Sequence, residues 1–184
     1  ACRSRSGGRQ RARESHPAHG LRTASELHQP PVQCRLHEAK ELGLGPSRGA
    51  VARLGPIRVY LGFLVRLNSL VRKHGRRMLF WADMMLKQPE LIRQPAPDMT
   101  GLVWGYEHDY PFARNARPFA EAGLPFFVCP GTSSWRTIGG DTDNCLGNQI
   151  NAAKAALRFG AVGCLNTDWC DGGHYQHQPV SYPG

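Results

Sequence analysis

The chain alternates between segments with helical apolar spacing and short apolar runs. The first helical segment is Arg58–His74, and Gly75 supplies its stop. Its apolar positions follow the spacing i, i+4, i+7 and i+11: Tyr60, Leu64, Leu67 and Val71. A second helix is predicted between a cap at Asp141 or Thr142 and a stop at Gly160. It repeats the same spacing in Leu146, Ile150, Ala153 and Leu157.

Two shorter helices are predicted between these long ones. Leu86–Gln94 precedes a loop marked by Pro95 and Pro97, and Phe112–Ala122 ends at Gly123. The segment HEAKELGLG, which begins at His37, is polar and glycine-rich and predicts a loop. Four apolar runs predict strands: Arg77–Met85, Met99–Glu107, Leu124–Trp135 and the start of the stretch Phe159–His174.

The order of elements is therefore a helix, three strand–helix units and a final strand. Such a repeat implies an α/β fold with a parallel sheet and helical crossovers. Each predicted strand closes in polar or aromatic residues, as strands do in (β/α)8 barrels. An open, doubly wound sheet is the alternative fold. The chain has no GxGxxG after a strand and no GxxxxGK[ST], so nothing supports nucleotide binding.

The residues at these strand ends have the chemistry of a carbohydrate site. All four tryptophans of the chain lie there, together with tyrosine and carboxylates: Trp81, Asp83, Trp104, Tyr106, Glu107, Trp135, Asp168, Trp169 and Asp171. Flat indole faces pack against the apolar face of a sugar ring, and carboxylates accept hydrogen bonds from its hydroxyl groups. The alternative explanation of each tryptophan alone is packing inside the sheet.

Five motifs in chain order resemble the strand-end motifs of family 20 glycoside hydrolases, the β-N-acetylhexosaminidases. They are HEAKELGLG, FWADMM, LVWGYE, VCPGTSSW and NTDWCDGGH. The resemblance covers residues 37–184 and implies a partial (β/α)8 TIM-type barrel, about strands 5–8 with their helices, behind an irregular N-terminal segment. It implies a fragment of a retaining β-N-acetylhexosaminidase, whose substrate's own 2-acetamido group attacks the anomeric carbon.

The resemblance also implies roles for individual residues. It places Glu38 in the position of the general acid and His37 in the position of the aspartate that orients the acetamido group. Asp83, Trp169 and Asp171 match positions that line the sugar pocket, and Tyr106 is a candidate contact for the acetamido group. The strand-end residues Trp81, Trp104, Trp135 and Asp168 complete the predicted substrate-binding set.

His37 departs from the family pattern, because an imidazole cannot replace a carboxylate beside a developing oxazolinium charge. The strand expected before the acid pair is also missing. A one-base deletion explains both departures. One permitted set of codons for HQPPVQCRLH, read one base later, gives TNRQFNVGC, followed by Asp-Glu once one base is restored. Residues 1–36 are therefore interpreted as a disordered or out-of-frame segment.

The N-terminal segment also offers an alternative function. Residues 1–36 hold seven arginines and two glutamates, a net charge of +5 out of +9 for the chain. A basic protein that binds nucleic acid through this Arg-rich arm is the second function class. A further basic cluster, Arg72, Lys73, Arg76 and Arg77, is explained by the dipole at a helix end.

Apolar runs and cysteine spacing bear on the location of the protein and on its cofactors. No apolar run is long enough to span a membrane, and no signal peptide is visible, which leaves a cytoplasmic or periplasmic location open. The six cysteines have no disulfide framework, and the spacing C-x5-C-x3-H-x2-H from Cys164 is too wide for zinc. We therefore expect no cofactor or metal. The resemblance implies an N-acetylglucosaminide or N-acetylgalactosaminide substrate rather than a nucleic acid or membrane partner.

A half barrel has two unpaired sheet edges, so self-association through these edges and little or no hydrolytic activity are expected. The frame hypothesis makes a separate prediction about the source DNA. Resequencing should reveal a missing base near the codon for His37. An intact reading frame that encodes residues 1–36 as they stand would contradict it.

Overall fold

The computed structural model describes residues 42–95, 97–136 and 138–169, together with the backbone of residues 22–23 and 32–34. The chain forms an α/β structure with one parallel sheet in the strand order β1-β6-β5-β4-β3-β2. The strands are β1 (Arg22–Thr23), β2 (Val32–Cys34), β3 (Met78–Trp81), β4 (Thr100–Trp104), β5 (Phe126–Cys129) and β6 (Gly163–Cys164).

Five α-helices connect or precede the described strands. They are α1 (Arg48–Leu54), α2 (Pro56–Lys73), α3 (Asp83–Leu86), α4 (Phe112–Ala122) and α5 (Thr142–Phe159). Short 3-10 turns lie at Gly45–Ser47, Pro89–Leu91 and Ser134–Arg136. The predicted α/β class with a parallel sheet is thus confirmed.

Each strand from β2 to β5 pairs in parallel with the next strand along the chain. A doubly wound sheet reverses its strand order at a switch point, and no reversal occurs between β2 and β6. Alternate strand residues divide between two cores. Met78, Phe80, Val103 and Val128 pack with α2, α3, α4 and α5 in the large core. Leu79, Leu102, Phe127 and Cys129 form a small core on the opposite face.

Two predicted helices match the structure closely. In α2, Tyr60 and Leu64 are buried, as the apolar spacing predicts. The helix begins at Pro56, a residue whose fixed φ and missing N–H suit the first turn. Helix α4 has the predicted bounds, and Gly123 follows it in the left-handed conformation.

The prediction for α5 is right about its ends and wrong about its apolar face. The Asp141 side chain accepts a hydrogen bond from the Asn144 N–H, and Gly160 ends the helix in the left-handed conformation. However, the three largest apolar side chains of the predicted stripe are exposed: Leu146, Ile150 and Leu157. The buried face consists of small or polar residues instead: Asn144, Cys145, Asn148, Ala152, Ala155 and Ala156. Small side chains allow this helix to lie close to the sheet.

The structure corrects the predicted bounds of several other strands and helices. Strand β3 ends at Trp81, and Asp83 begins α3, because a carboxylate is favourable in the first turn of a helix. The predicted Leu86–Gln94 helix is replaced by the end of α3 and the Pro89–Leu91 turn. Strand β5 ends at Cys129, just before Pro130. The sequence analysis missed α1, and it predicted no strand where the structure places β1 and β2.

Within the described residues, no single helix has the length and apolar content needed to cross a membrane. Gly45–Leu54 and Pro56–Lys73 satisfy that test only as a pair, and the two segments are bent by 115°.

The contact between β4 and α4 makes a testable prediction about glycine. A Cβ added at Gly101 would overlap the ring of Phe119, which is fully buried. We expect Gly101→Ala to lower the free energy of unfolding by about 1–3 kcal/mol, because the core is overpacked.

Urea denaturation measures this change, and Gly62→Ala is the matched control. An added Cβ at Gly62 meets no atom within 4 Å, and the residue lies on the exposed side of α2. We expect this control to raise the free energy of unfolding by about 0.5–1 kcal/mol. Equal effects of the two substitutions would contradict the described packing of α4 on β4.

Candidate functional site

Five aromatic rings form one cluster at the carboxyl ends of β3, β4, β5 and β6. The Trp81 and Trp169 ring centroids lie 5.7 Å apart. The Tyr106 ring stacks on Trp104 at 5.2 Å and meets Trp135 edge-on at 5.1 Å. Since parallel strands end at the same edge of a sheet, residues that are far apart in the sequence converge here.

A hydrogen bond joins the two halves of this aromatic cluster. The Trp169 Nε1–H donates to the Tyr106 hydroxyl oxygen at 2.7 Å. Gly131 allows the rings to approach, since a Cβ there would lie 2.6 Å from Trp135 and 2.7 Å from Tyr106. The rings are only partly buried, so the cluster presents flat apolar faces beside polar edges. Such a surface can bind a ligand with one apolar and one hydroxylated face.

The carboxylate of Asp168 fixes the segment that carries Trp169. Its Oδ1 accepts hydrogen bonds from Ser134 Oγ at 2.5 Å and from Thr132 Oγ1 at 2.9 Å. Both hydroxyl residues are buried, and the Thr132 N–H also donates to the Thr167 carbonyl oxygen at 2.9 Å. These bonds tie the chain after β6 to the loop after β5.

Two asparagines of α5 hold the loops after β4 and β5. Asn148 is fully buried; its Oδ1 accepts from the Gly131 N–H at 3.0 Å. Its Nδ2 donates to the carbonyl oxygens of Gly105 at 3.1 Å and Glu107 at 2.7 Å. Asn144 Nδ2 donates to the Tyr106 carbonyl oxygen at 2.6 Å. It thereby holds the backbone of the central tyrosine.

Asn144 also supports a strained residue. Its Nδ2 donates to the hydroxyl of Ser133 at 2.7 Å, and its Oδ1 accepts from the His108 N–H at 2.9 Å. Ser133 has a φ of 56°, the left-handed region that side chains rarely adopt. Full burial and the Asn144 bond hold Ser133 in this conformation beside the aromatic cluster.

A charged pair bridges the rim of the site. Arg136 contacts the Glu107 carboxylate with both terminal nitrogens, with Nη1 to Oε2 at 3.0 Å, and its Nη1 lies 3.9 Å from Asp141 Oδ2. The hydrogen bonds from Arg136 lower the pKa of Glu107 below its ordinary value. Glu107 is therefore ionised at neutral pH and unsuited to the role of a general acid.

The structure brings together most, but not all, of the predicted site residues. Trp81, Trp104, Tyr106, Trp135, Asp168 and Trp169 share the same edge of the sheet. Asp83 follows Trp81 closely at the start of α3 and is partly buried. The predicted catalytic residues Glu38 and His37, and the predicted pocket residue Asp171, lie outside the described residues. The side chains of the Arg-rich arm do so as well.

Sequence reasoning missed four supporting residues: Thr132, Ser134, Asn144 and Asn148. The first two lie inside the recognised VCPGTSSW motif, so that motif was their signal. The two asparagines had a weaker signal, namely polar residues spaced i and i+4 in the first turns of an otherwise Ala-rich helix.

Buried thiols and acidic groups near the site do not form a metal centre in the part of the chain that the structure describes. No group of three or more His, Cys, Asp or Glu residues converges there. Burial raises the pKa of Cys129, Cys145 and Cys164, so these thiols stay protonated at neutral pH and behave as small apolar side chains.

In comparisons with known proteins, no family model and no curated protein matches the chain.

The side chain of Asn148 is fully buried and makes three hydrogen bonds to loop backbone, so the arrangement of these loops depends on it. Asn148→Ala should lower the free energy of unfolding by about 2–5 kcal/mol, because it leaves the Gly131 N–H, the Gly105 carbonyl and the partly buried Glu107 carbonyl without their partner. Urea denaturation measures this, with Lys154→Ala on the exposed side of α5 as the control. A loss no larger than that of the control would contradict the described role.

The Glu107–Arg136 pair predicts a pH dependence. Because the folded pKa of Glu107 is lowered, the contribution of the pair exists above the unfolded pKa and disappears as pH falls through the folded pKa. Since the pair is exposed, Glu107→Gln should cost only a few tenths of a kcal/mol at neutral pH and nothing in strong acid. Denaturant titrations at neutral and strongly acidic pH measure the free energy of unfolding of both proteins. A difference between Glu107→Gln and the unaltered protein that is the same at both pH values would contradict the described ion pair.

Proposed function

We propose that the aromatic cluster binds the N-acetylhexosamine ring of a β-N-acetylhexosaminide, as in the glycoside hydrolases that the sequence motifs resemble. The observation that carries this proposal is the convergence of five aromatic side chains from four strand ends. Isolated core tryptophans would not need to share one solvent-accessible edge. The ring faces of Trp81 and Trp104 suit the apolar face of a pyranose.

We also propose that the sheet is part of a (β/α)8-type barrel. Three described features support this architecture: the pairing of β2 to β6 in chain order, helices that pack on one face, and a separate small core on the other. In such barrels, the carboxyl ends of the strands carry the functional residues, and the aromatic cluster occupies that end.

Within this proposal, the carboxylates have different tasks. Asp83, two residues after Trp81 at the start of α3, would accept hydrogen bonds from sugar hydroxyls. Asp168 Oδ1 is already bonded to Ser134 and Thr132, which favours a positioning role that fixes Trp169. Tyr106 holds the indole of Trp169 through its hydroxyl and presents its ring to Trp104 and Trp135.

For catalysis, the resemblance assigns proton donation to Glu38 and leaves His37 where a carboxylate is needed. The acetamido oxygen of the substrate would attack the anomeric carbon, and the configuration would be retained. An imidazole cannot stabilise the positive charge of the oxazolinium. We therefore expect this chain to bind the sugar and to hydrolyse it poorly or not at all.

Binding is tested by the tryptophan fluorescence of the full chain titrated with N-acetylglucosamine, N-acetylgalactosamine and their thiazoline analogues. We expect a saturable shift with at least one of these ligands and none with glucose, which lacks the acetamido group. Tyr106→Phe should weaken binding about two- to tenfold, because the Trp169 N–H loses its acceptor. Tyr110→Phe is the matched control, since its hydroxyl bonds only Asn115 among the described hydrogen bonds.

Hydrolysis is tested separately with a chromogenic N-acetylglucosaminide. We expect no release of chromophore above a Glu38→Gln control. Turnover at rates typical of enzymes would contradict the expected effect of His37. A lack of any fluorescence shift would contradict the sugar-binding proposal itself.

A further inference from the structure

A basic surface on α1 and α2 has no part in the proposed function. From Leu42 to Ala82 the chain contains eight Lys and Arg residues and no Asp or Glu. All eight are exposed: Arg48, Arg53, Arg58, Arg66, Arg72, Lys73, Arg76 and Arg77. Of these eight residues, only Arg72 forms a salt bridge with a described residue, and its Nε lies 3.3 Å from Asp98 Oδ2.

Apolar side chains interrupt this basic surface in a regular way. Val59, Phe63, Arg66, Leu70 and Lys73 follow the spacing i, i+4, i+7, i+11 and i+14, so they form one ridge along α2, the basic–apolar ridge. Leu70 is 54% exposed and Phe63 is 36% exposed. The ridge is about 21 Å long at the rise of an α-helix.

The ridge is not the face that packs on the sheet. That face is formed by Ile57, Tyr60, Leu61 and Leu64, which are buried. The exposed apolar residues of the ridge are therefore additional to those needed for the core. A helix dipole explains cations in a last turn, such as Arg53 of α1 and Arg72 and Lys73 of α2. It does not explain Arg48, Arg58 and Arg66.

We propose that this ridge, with the neighbouring cations of α1, binds the surface of an anionic lipid bilayer. Lysine and arginine side chains would lie among the acidic headgroups, while Leu70 and Phe63 enter the boundary with the acyl chains. A nucleic acid backbone would be attracted by the same charges, but it offers no apolar layer for Leu70. Such peripheral binding requires no spanning segment, and it departs from the expectation of no membrane partner drawn from the sequence.

The test is flotation of the full chain with vesicles of phosphatidylserine and phosphatidylcholine in equal parts, compared with phosphatidylcholine alone. We expect binding to the anionic vesicles only. The double variant Arg66→Gln/Lys73→Gln should lower the partition coefficient roughly 25-fold, about five-fold for each charge removed. The control Arg114→Gln/Lys154→Gln removes two exposed charges from α4 and α5 and should lower it much less.

The variant Leu70→Gln distinguishes insertion of apolar side chains into the bilayer from electrostatic attraction to its headgroups. It leaves every charge in place and should abolish the binding that persists at high salt, where charge attraction is screened. Circular dichroism checks that each variant is folded. Equal losses in the ridge and control variants would overturn the proposal, as would an unchanged Leu70→Gln partition. Ridge-dependent binding to single-stranded RNA without binding to vesicles would also overturn it.

Discussion

Two amide side chains on the first turns of α5 bond buried and partly buried backbone groups of the loops at the end of the sheet. Asn148 bonds backbone groups of Gly131, Gly105 and Glu107, and Asn144 bonds those of Tyr106 and His108. Loops at the end of a sheet have no ladder to pair with, so each buried N–H and carbonyl needs another solution. Here α5 supplies the hydrogen-bond partners. The loops are thereby held in place, and so are the aromatic side chains that they carry.

The alternation of side chains along the strands separates structural and functional tasks. Phe80, Val103 and Val128 face the helices and contribute the main apolar burial. Trp81 and Trp104, one residue further along their strands, face the other side and pack against the small core. Because the period of a strand is two, a shift of one residue would exchange the two sets. The observed register is therefore required both for the core and for the candidate site.

The sequence predicted those features that depend on local patterns. The bounds of α4, the caps of α5 and the gathering of four tryptophans at one edge follow from glycine stops, an Asp cap and strand-end positions. It mispredicted the apolar face of α5, because alanines and asparagines pack against the sheet while Leu146, Ile150 and Leu157 point outward. Such an inversion depends on how closely a helix approaches its neighbours. The roles of Thr132 and Ser134 likewise require knowing that Asp168 lies beside them.

The pairing of β1 with β6 has a consequence for the order of folding. Every other described strand pair joins neighbours along the chain, whereas Arg22 pairs with Gly163, so most of the chain lies between these two partners. The entropy lost on closing a loop grows with its length, and distant contacts form slowly. The βα units can therefore assemble one after another, and the edge next to β6 is the last to be completed. Until then, β6 exposes unpaired amides and carbonyls to any other extended chain nearby.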